Sequence, residues 1–197
     1  MIAEITADAR AQDIVLVATD ALDADDPGYR FVRASSLTAP AELRRAGVAE
    51  ASRVVVYAAS DAETLAATLA VTALNGSGHV VCFLRDPDTA RLLNAHCPQV
   101  EVVLTPTVEL VVKALSDPGS SRLIAQLASH TDEGATLYAI EAATAGRFDE
   151  VARSLRERGA VLVATSPAGD NQPRFDLDAA VGPGDRLFYI AKQRVAA

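Results

Sequence analysis

Ile14-Val15-Leu16-Val17-Ala18-Thr19-Asp20 is the stretch on which the fold is decided. An apolar, strand-like run closes on a carboxylate. In α/β repeats that bind nucleotides, an acid at the carboxyl end of a strand receives a ribose hydroxyl. The glycine-rich phosphate turn of such repeats lies roughly 20 residues upstream of that acid. No glycine occurs before Gly28. A nucleotide-fold scaffold is therefore legible without the turn that grips pyrophosphate, which points to a regulatory or assembly role over redox catalysis.

Outward from this strand, helices and strands alternate. Residues 2–11 read as the last turns of a helix. Residues 29–33 alternate apolar and polar side chains as a strand does, and residues 41–46 form a short helix stopped by Gly47. Val54-Val55-Val56-Tyr57-Ala58 is continuously apolar, as strands buried on both faces of a parallel sheet are. A helix over about 62–74 ends at Asn75-Gly76. Residues 80–84 and 102–104 read as strands, and Pro87 suits the first turn of the helix between them. The spacing predicts a Rossmann-like, mostly parallel sheet with helices on both faces, lacking its first strand. Loss of that normally central strand predicts a gap or exposed sheet edges, unless another segment supplies it.

After residue 104 the pattern changes. Residues 108–115 and 122–128 are helical, split by Asp117-Pro118-Gly119. A polar linker leads to a second, smaller unit: a strand at 136–140, a helix at 148–158, a strand at 161–164 and a last strand at 186–191. The last strand follows the turn Gly182-Pro183-Gly184-Asp185. The expected architecture is an α/β lobe, a helix-turn-helix crossover and a small α+β C-terminal lobe.

Composition narrows the function classes. The 197 residues are 50% hydrophobic and 22% charged, an ordinary folded balance, with a net charge of −8. Only two lysines occur, and the arginines are scattered, so nucleic acid is not an expected partner. No stretch approaches the ~18–20 apolar residues of a membrane helix, so no direct membrane insertion is expected. No secretory signal is visible, and Cys82 and Cys97 form no CxxC pair. The expected location is cytoplasmic, including as the cytosolic part of a membrane protein.

The ordered motifs resemble the RCK family, cytosolic regulators of potassium conductance in potassium channels and Trk/Ktr-type uptake systems. The resemblance spans nearly the whole chain. It rests on Leu43-Arg44-Arg45-Ala46-Gly47-Val48-Ala49-Glu50-Ala51-Ser52-Arg53-Val54-Val55-Val56, then Ser60-Asp61-Ala62-Glu63-Thr64-Leu65 and Arg85-Asp86-Pro87. The C-terminal Gly-Asp turn before the last strand adds to it. The resemblance implies an N-lobe over residues 1–106, a dimerisation crossover over 107–130 and a C-terminal lobe over 131–197. It also implies dimers or higher rings through the 107–130 helices, joined to a pore-forming potassium channel or transporter subunit or N-terminal segment. The family's Gly-Asp after the third strand is here Ser35-Ser36, the Asn of its Asp-x-x-Asn is Thr64, and Cys82-Phe83-Leu84-Arg85 lacks a calcium site's acids. Phe175-Asp176-Leu177-Asp178 replaces an Asn-Pro-Pro-like segment.

The candidate ligand residues are Asp20, Ser35, Ser36, Ser60 and Asp61, all at the carboxyl ends of strands, where open α/β sheets bind ligands. The implied ligand is an adenine nucleotide or NAD, ahead of a divalent cation. Ser60 and Glu63 also have capping-box spacing. The run Asp20, Asp23, Asp25, Asp26 lacks the glycine and bidentate acid of a calcium loop, and His79, His96 and His130 lack zinc spacing. No nucleophile sits beside a base in any familiar arrangement, so no enzyme is expected. Two other readings remain: a purely structural assembly subunit, and an NAD-dependent oxidoreductase. The apolar residues Leu110, Val111, Leu115, Leu123, Ile124 and Leu127 of the helix pair read as a self-association surface.

Overall fold

The computed structural model describes residues 2–7, 13–20, 29–105, 107–131, 134–170 and 172–195. They form two compact units, one of Arg10–Val108 and one of Met1–Ala9 with Glu109–Ala197. In chain order, helix α1 (Ile2–Ala7) belongs to the second of these and β1 (Val15–Ala18) to the first.

The 10–108 unit continues with β2 (Arg30–Arg33), α2 (Pro40–Arg45), a 3-10 turn (Val48–Glu50) and β3 (Arg53–Val56). It ends with α3 (Asp61–Leu74), β4 (His79–Leu84), α4 (Pro87–His96) and β5 (Val100–Leu104). All its strand pairs are parallel, and α3 and α4 are the helical crossovers that join β3 to β4 and β4 to β5. The sheet is split. β1 pairs with β2, and β3-β4-β5 form a second ladder. Among the described residues no hydrogen-bonded pairing joins β1 to β3, yet Val15 and Val17 pack on the same apolar cluster as Val56, Val80, Cys82 and Leu84. Among the described residues one core thus carries two half-sheets.

Among the described residues of this unit, helices do not cover both faces of the sheet. Alternation places Val56, Val80, Cys82 and Leu84 in the core. The residues between them face the other way, and Val55 and Tyr57 stay 48% and 53% exposed. Among the described residues that face is left largely uncovered, with Tyr57 and Phe83 in ring contact and the Arg85 guanidinium over both.

Asn75 closes α3. Its side chain is buried and fully used: Nδ2 donates to the carbonyls of Val48 (2.7 Å) and Ala51 (2.8 Å), while Oδ1 accepts from the amides of Ser77 (3.1 Å) and Gly78 (2.6 Å). Gly78 must be glycine, because a Cβ there would sit 2.4 Å from the Ala51 carbonyl oxygen. Asn75→Ala orphans four buried or half-buried backbone groups and is expected to cost about 2 kcal/mol. The check is a lower urea midpoint at unchanged m value.

The other unit carries α5 (Thr107–Ser116) and α6 (Ser120–Ala128), then β6 (Thr136–Glu141), β7 (Gly146–Arg147), α7 (Phe148–Glu157), β8 (Ala160–Ser166), β9 (Ala180–Val181) and β10 (Arg186–Ala191). β10 lies between β6 and β8, antiparallel to both. α7 supplies Phe148 and Leu155 to a core with Leu162, Leu187 and the fully buried Tyr189. The Gly-Asp turn holds this sheet's entry. Gly184 takes φ +86°, and Asp185 accepts from the amides of Ala168 (3.0 Å) and Gly182 (2.7 Å). On α1, Glu4 accepts from the His130 amide (2.7 Å) and the Ser129 and Thr131 hydroxyls, which holds its carboxyl below the usual range.

Candidate functional site

The carboxyl ends of β1 and β2 open into a groove of about 460 Å³ lined by Thr19, Arg33, Ala34, Ser35, Glu42 and Arg45. Local sequence builds it. Pro40 sets the first turn of α2. Glu42 and Arg45, three residues apart on that helix, then present to the strand ends together. The Ser35 amide (2.6 Å) and hydroxyl (3.1 Å) both donate to Glu42 Oε2. The Ser35 amide chiefly holds the Glu42 carboxyl below its ordinary value. Arg45 Nη2 donates to the Arg33 carbonyl at 2.6 Å, and Arg33 Nε to the Thr19 carbonyl at 3.4 Å.

Of the five expected residues, Ser35 lines this groove, and Asp20 follows its lining residue Thr19 at the end of β1. Asp20 is exposed and accepts no hydrogen bond from the described residues. Ser36 bonds through its hydroxyl to Thr38 Oγ1 at 2.8 Å. Ser60 and Asp61 lie apart from the lining set, at the end of β3. Ser60 is the N-cap of α3: its Oγ accepts the Glu63 amide at 3.3 Å and donates to the Glu63 carboxylate. Asp23, Asp25 and Asp26 of the acidic run lie outside the described residues. Among the described residues no three His, Cys, Asp or Glu side chains converge as a metal site would require. The groove residues that sequence reasoning missed are Arg33, Glu42 and Arg45; the Glu42/Arg45 spacing was the available signal.

Asp61 is occupied within the fold. Oδ2 accepts the amides of Arg85 (2.9 Å) and Asp86 (2.7 Å), and Oδ1 meets Arg85 Nη1 at 3.2 Å. Asp86 in turn caps α4 through the Thr89 amide and hydroxyl. The Asp86 amide, followed by the amide and guanidinium of Arg85, keeps the Asp61 carboxyl below the ordinary 3.8. A depressed folded-state value means that the contribution is complete above the unfolded value and disappears as pH falls through the folded one. Asp61→Asn is therefore expected to destabilise more at about pH 7 than at about pH 3, because the carboxylate's contribution fades with acidification. Urea midpoints of both proteins at the two pH values test this; an equal gap at both would remove the carboxylate's charge from the account.

A parallel α/β unit with a groove at its strand ends, in a chain that continues into a helix pair and an antiparallel lobe, defines a nucleotide-binding-type fold adapted as a two-unit module. The TrkA-N domain model matches residues 1–106, more than half of the chain, and the chain belongs to the TrkA-N domain family. No curated protein sequence matches it. Among solved structures, the human SLO3 gating ring is similar at 14% identity and TM-score 0.68, over 92% of this chain and 40% of that one. The GsuK RCK domain is similar at 19% identity and TM-score 0.48, over 93% and 39%. The GsuK channel bound to NAD gives 19% identity and TM-score 0.43, over 90% and 31%. Over 92% of its length the chain shares the fold of the human SLO3 gating ring, and it spans about two fifths of the SLO3 chain it matches.

Proposed function

We propose that the chain is a cytosolic, ligand-sensing regulatory module of a potassium channel or potassium transporter. The observation that carries the reading is a TrkA-N domain, with a polar groove at its β1–β2 ends, joined in one chain to a helix pair that buries no side chain. Among the described residues no helix is long and apolar enough to cross a membrane, so a pore would belong to another chain or segment. Exposed Val111, Leu115, Leu123 and Ile124 on α5 and α6 suit pairing of two copies, as a dimer or within a ring. The groove, with Asp20 at its edge, suits an adenine nucleotide, NAD included.

The module's role is regulatory, not catalytic. A ligand moves a gate only by binding one arrangement of the assembly better than another; near-complete switching takes about 5.5 kcal/mol of difference. Thermal-shift and calorimetric titration with ATP, ADP and NAD test the sensor. A bound nucleotide at 100 times its Kd stabilises by about 2.7 kcal/mol. A melting point indifferent to all of them makes the module a scaffold, and turnover of NAD would make it an enzyme.

A further inference from the structure

Two guanidinium groups stand over the same groove, neither in an ion pair with a carboxylate of the described residues. Arg33, at the end of β2, is tied to the Thr19 carbonyl, and Arg45, in the last turn of α2, is tied to the Arg33 carbonyl. Each fork has five N–H donors and uses one on that tether. Among the described residues neither reaches an acid within ion-pair distance, in a chain whose net charge is −8. The carboxylate nearest in the lining, Glu42, is turned onto the Ser35 amide and hydroxyl. Backbone carbonyls thus orient both forks, and Glu42 bears on Arg45 only as a nearby charge, without an ion pair.

That arrangement is complementary to a compact anion. Guanidinium forks recognise phosphate oxygens in pairs, and a tether that fixes the fork beforehand lowers the ordering cost of binding. We propose that Arg33 and Arg45 grip the phosphate monoester of a nucleotide in this groove. The grip lies at the β1–β2 ends, beside Thr19 and Ser35. The Glu42 carboxylate, at the Ser35 side of the groove, confines the anion to the arginine side. This inference rests on the crevice being a nucleotide site, and it names what that site reads.

Calorimetric titration of residues 1–197 with adenosine, 5′-AMP, 2′-AMP and inorganic phosphate tests it. At least one AMP isomer is expected to bind ~10-fold or more tightly than adenosine, equivalent to about 1.4 kcal/mol. The preference is expected to shrink as salt rises. Arg33→Gln with Arg45→Gln is expected to abolish it, Arg45→Lys to retain only part of it, and Arg44→Gln, outside the lining, to leave it intact. Both groove arginines are exposed, so the double variant is expected to keep its far-ultraviolet spectrum and melting point. Equal binding of adenosine and both AMP isomers, or a preference that survives the double substitution, overturns the inference while leaving a nucleotide site in place. Arginine-dependent phosphate binding without any gain from adenosine supports the grip and overturns the nucleotide reading instead. Absence of binding by every phosphate-bearing probe overturns the grip.

Discussion

Glutamates at Val111 and Leu115 together are expected to convert the associated protein into monomers, raising the dissociation constant at least ~100-fold, or about 2.7 kcal/mol. The two residues lie one turn apart on α5 and are 65% and 83% exposed. Neither is buried in its own chain, so in the proposed pairing of copies their contribution comes from contact between copies. Two carboxylates placed in a desolvated apolar seam would carry a charge penalty on each side. Sedimentation equilibrium across a concentration series reads the change. The melting point extrapolated to low concentration should stay with the parent, because the intrachain core is untouched. A parent protein that is monomeric throughout the series, or a variant that associates as before, would detach this helix pair from assembly.

Leu84→Ala is expected to lower the unfolding free energy of the 10–108 unit by about 3–4 kcal/mol. Leu84 has no exposed surface and ends β4, the middle strand of β3-β4-β5, with its side chain in the cluster that includes Val80 and Cys82. Its backbone is fixed in the ladder opposite Leu104 of β5, which limits collapse onto the space left, so transfer and cavity costs add. The half-exposed Leu92 of α4 is the control: Leu92→Ala should cost under ~0.5 kcal/mol. Since two units need not unfold together, amide exchange along β4 should accompany urea denaturation. A loss for Leu84→Ala as small as the control's would mean that the split sheet relaxes around the cavity.

Much of the architecture was legible in order along the chain. The apolar runs at 14–19, 54–58 and 80–84 became β1, β3 and β4, shortened or shifted by a residue or two. Gly47 ends the α2 region at φ +82°, and Ser60 caps α3 as its spacing with Glu63 implies. These signals are local: burial period, a backbone angle only glycine adopts without strain, and a cap whose partner lies three residues away. The β5 strand was read two residues short because Val100 and Glu101 follow a Cys-Pro-Gln turn and alternate in polarity. Coverage of the sheet on both faces was inferred from alternation of elements, but Val55 and Tyr57 remain exposed. Crossover order specifies strand direction and says less about what packs on each face.

The ligand residues divide in the same way. By itself, the chain determined that Asp20, Ser35, Ser36, Ser60 and Asp61 follow strand ends, because strand ends are written in short-range polarity. Only the tertiary structure decided their company. Asp61 is claimed by amides 24 and 25 residues downstream, while Ser35 meets Glu42 beside two arginines whose forks hang on backbone carbonyls. A hydrogen bond selects its partner by distance in space, and separation along the chain does not encode that distance.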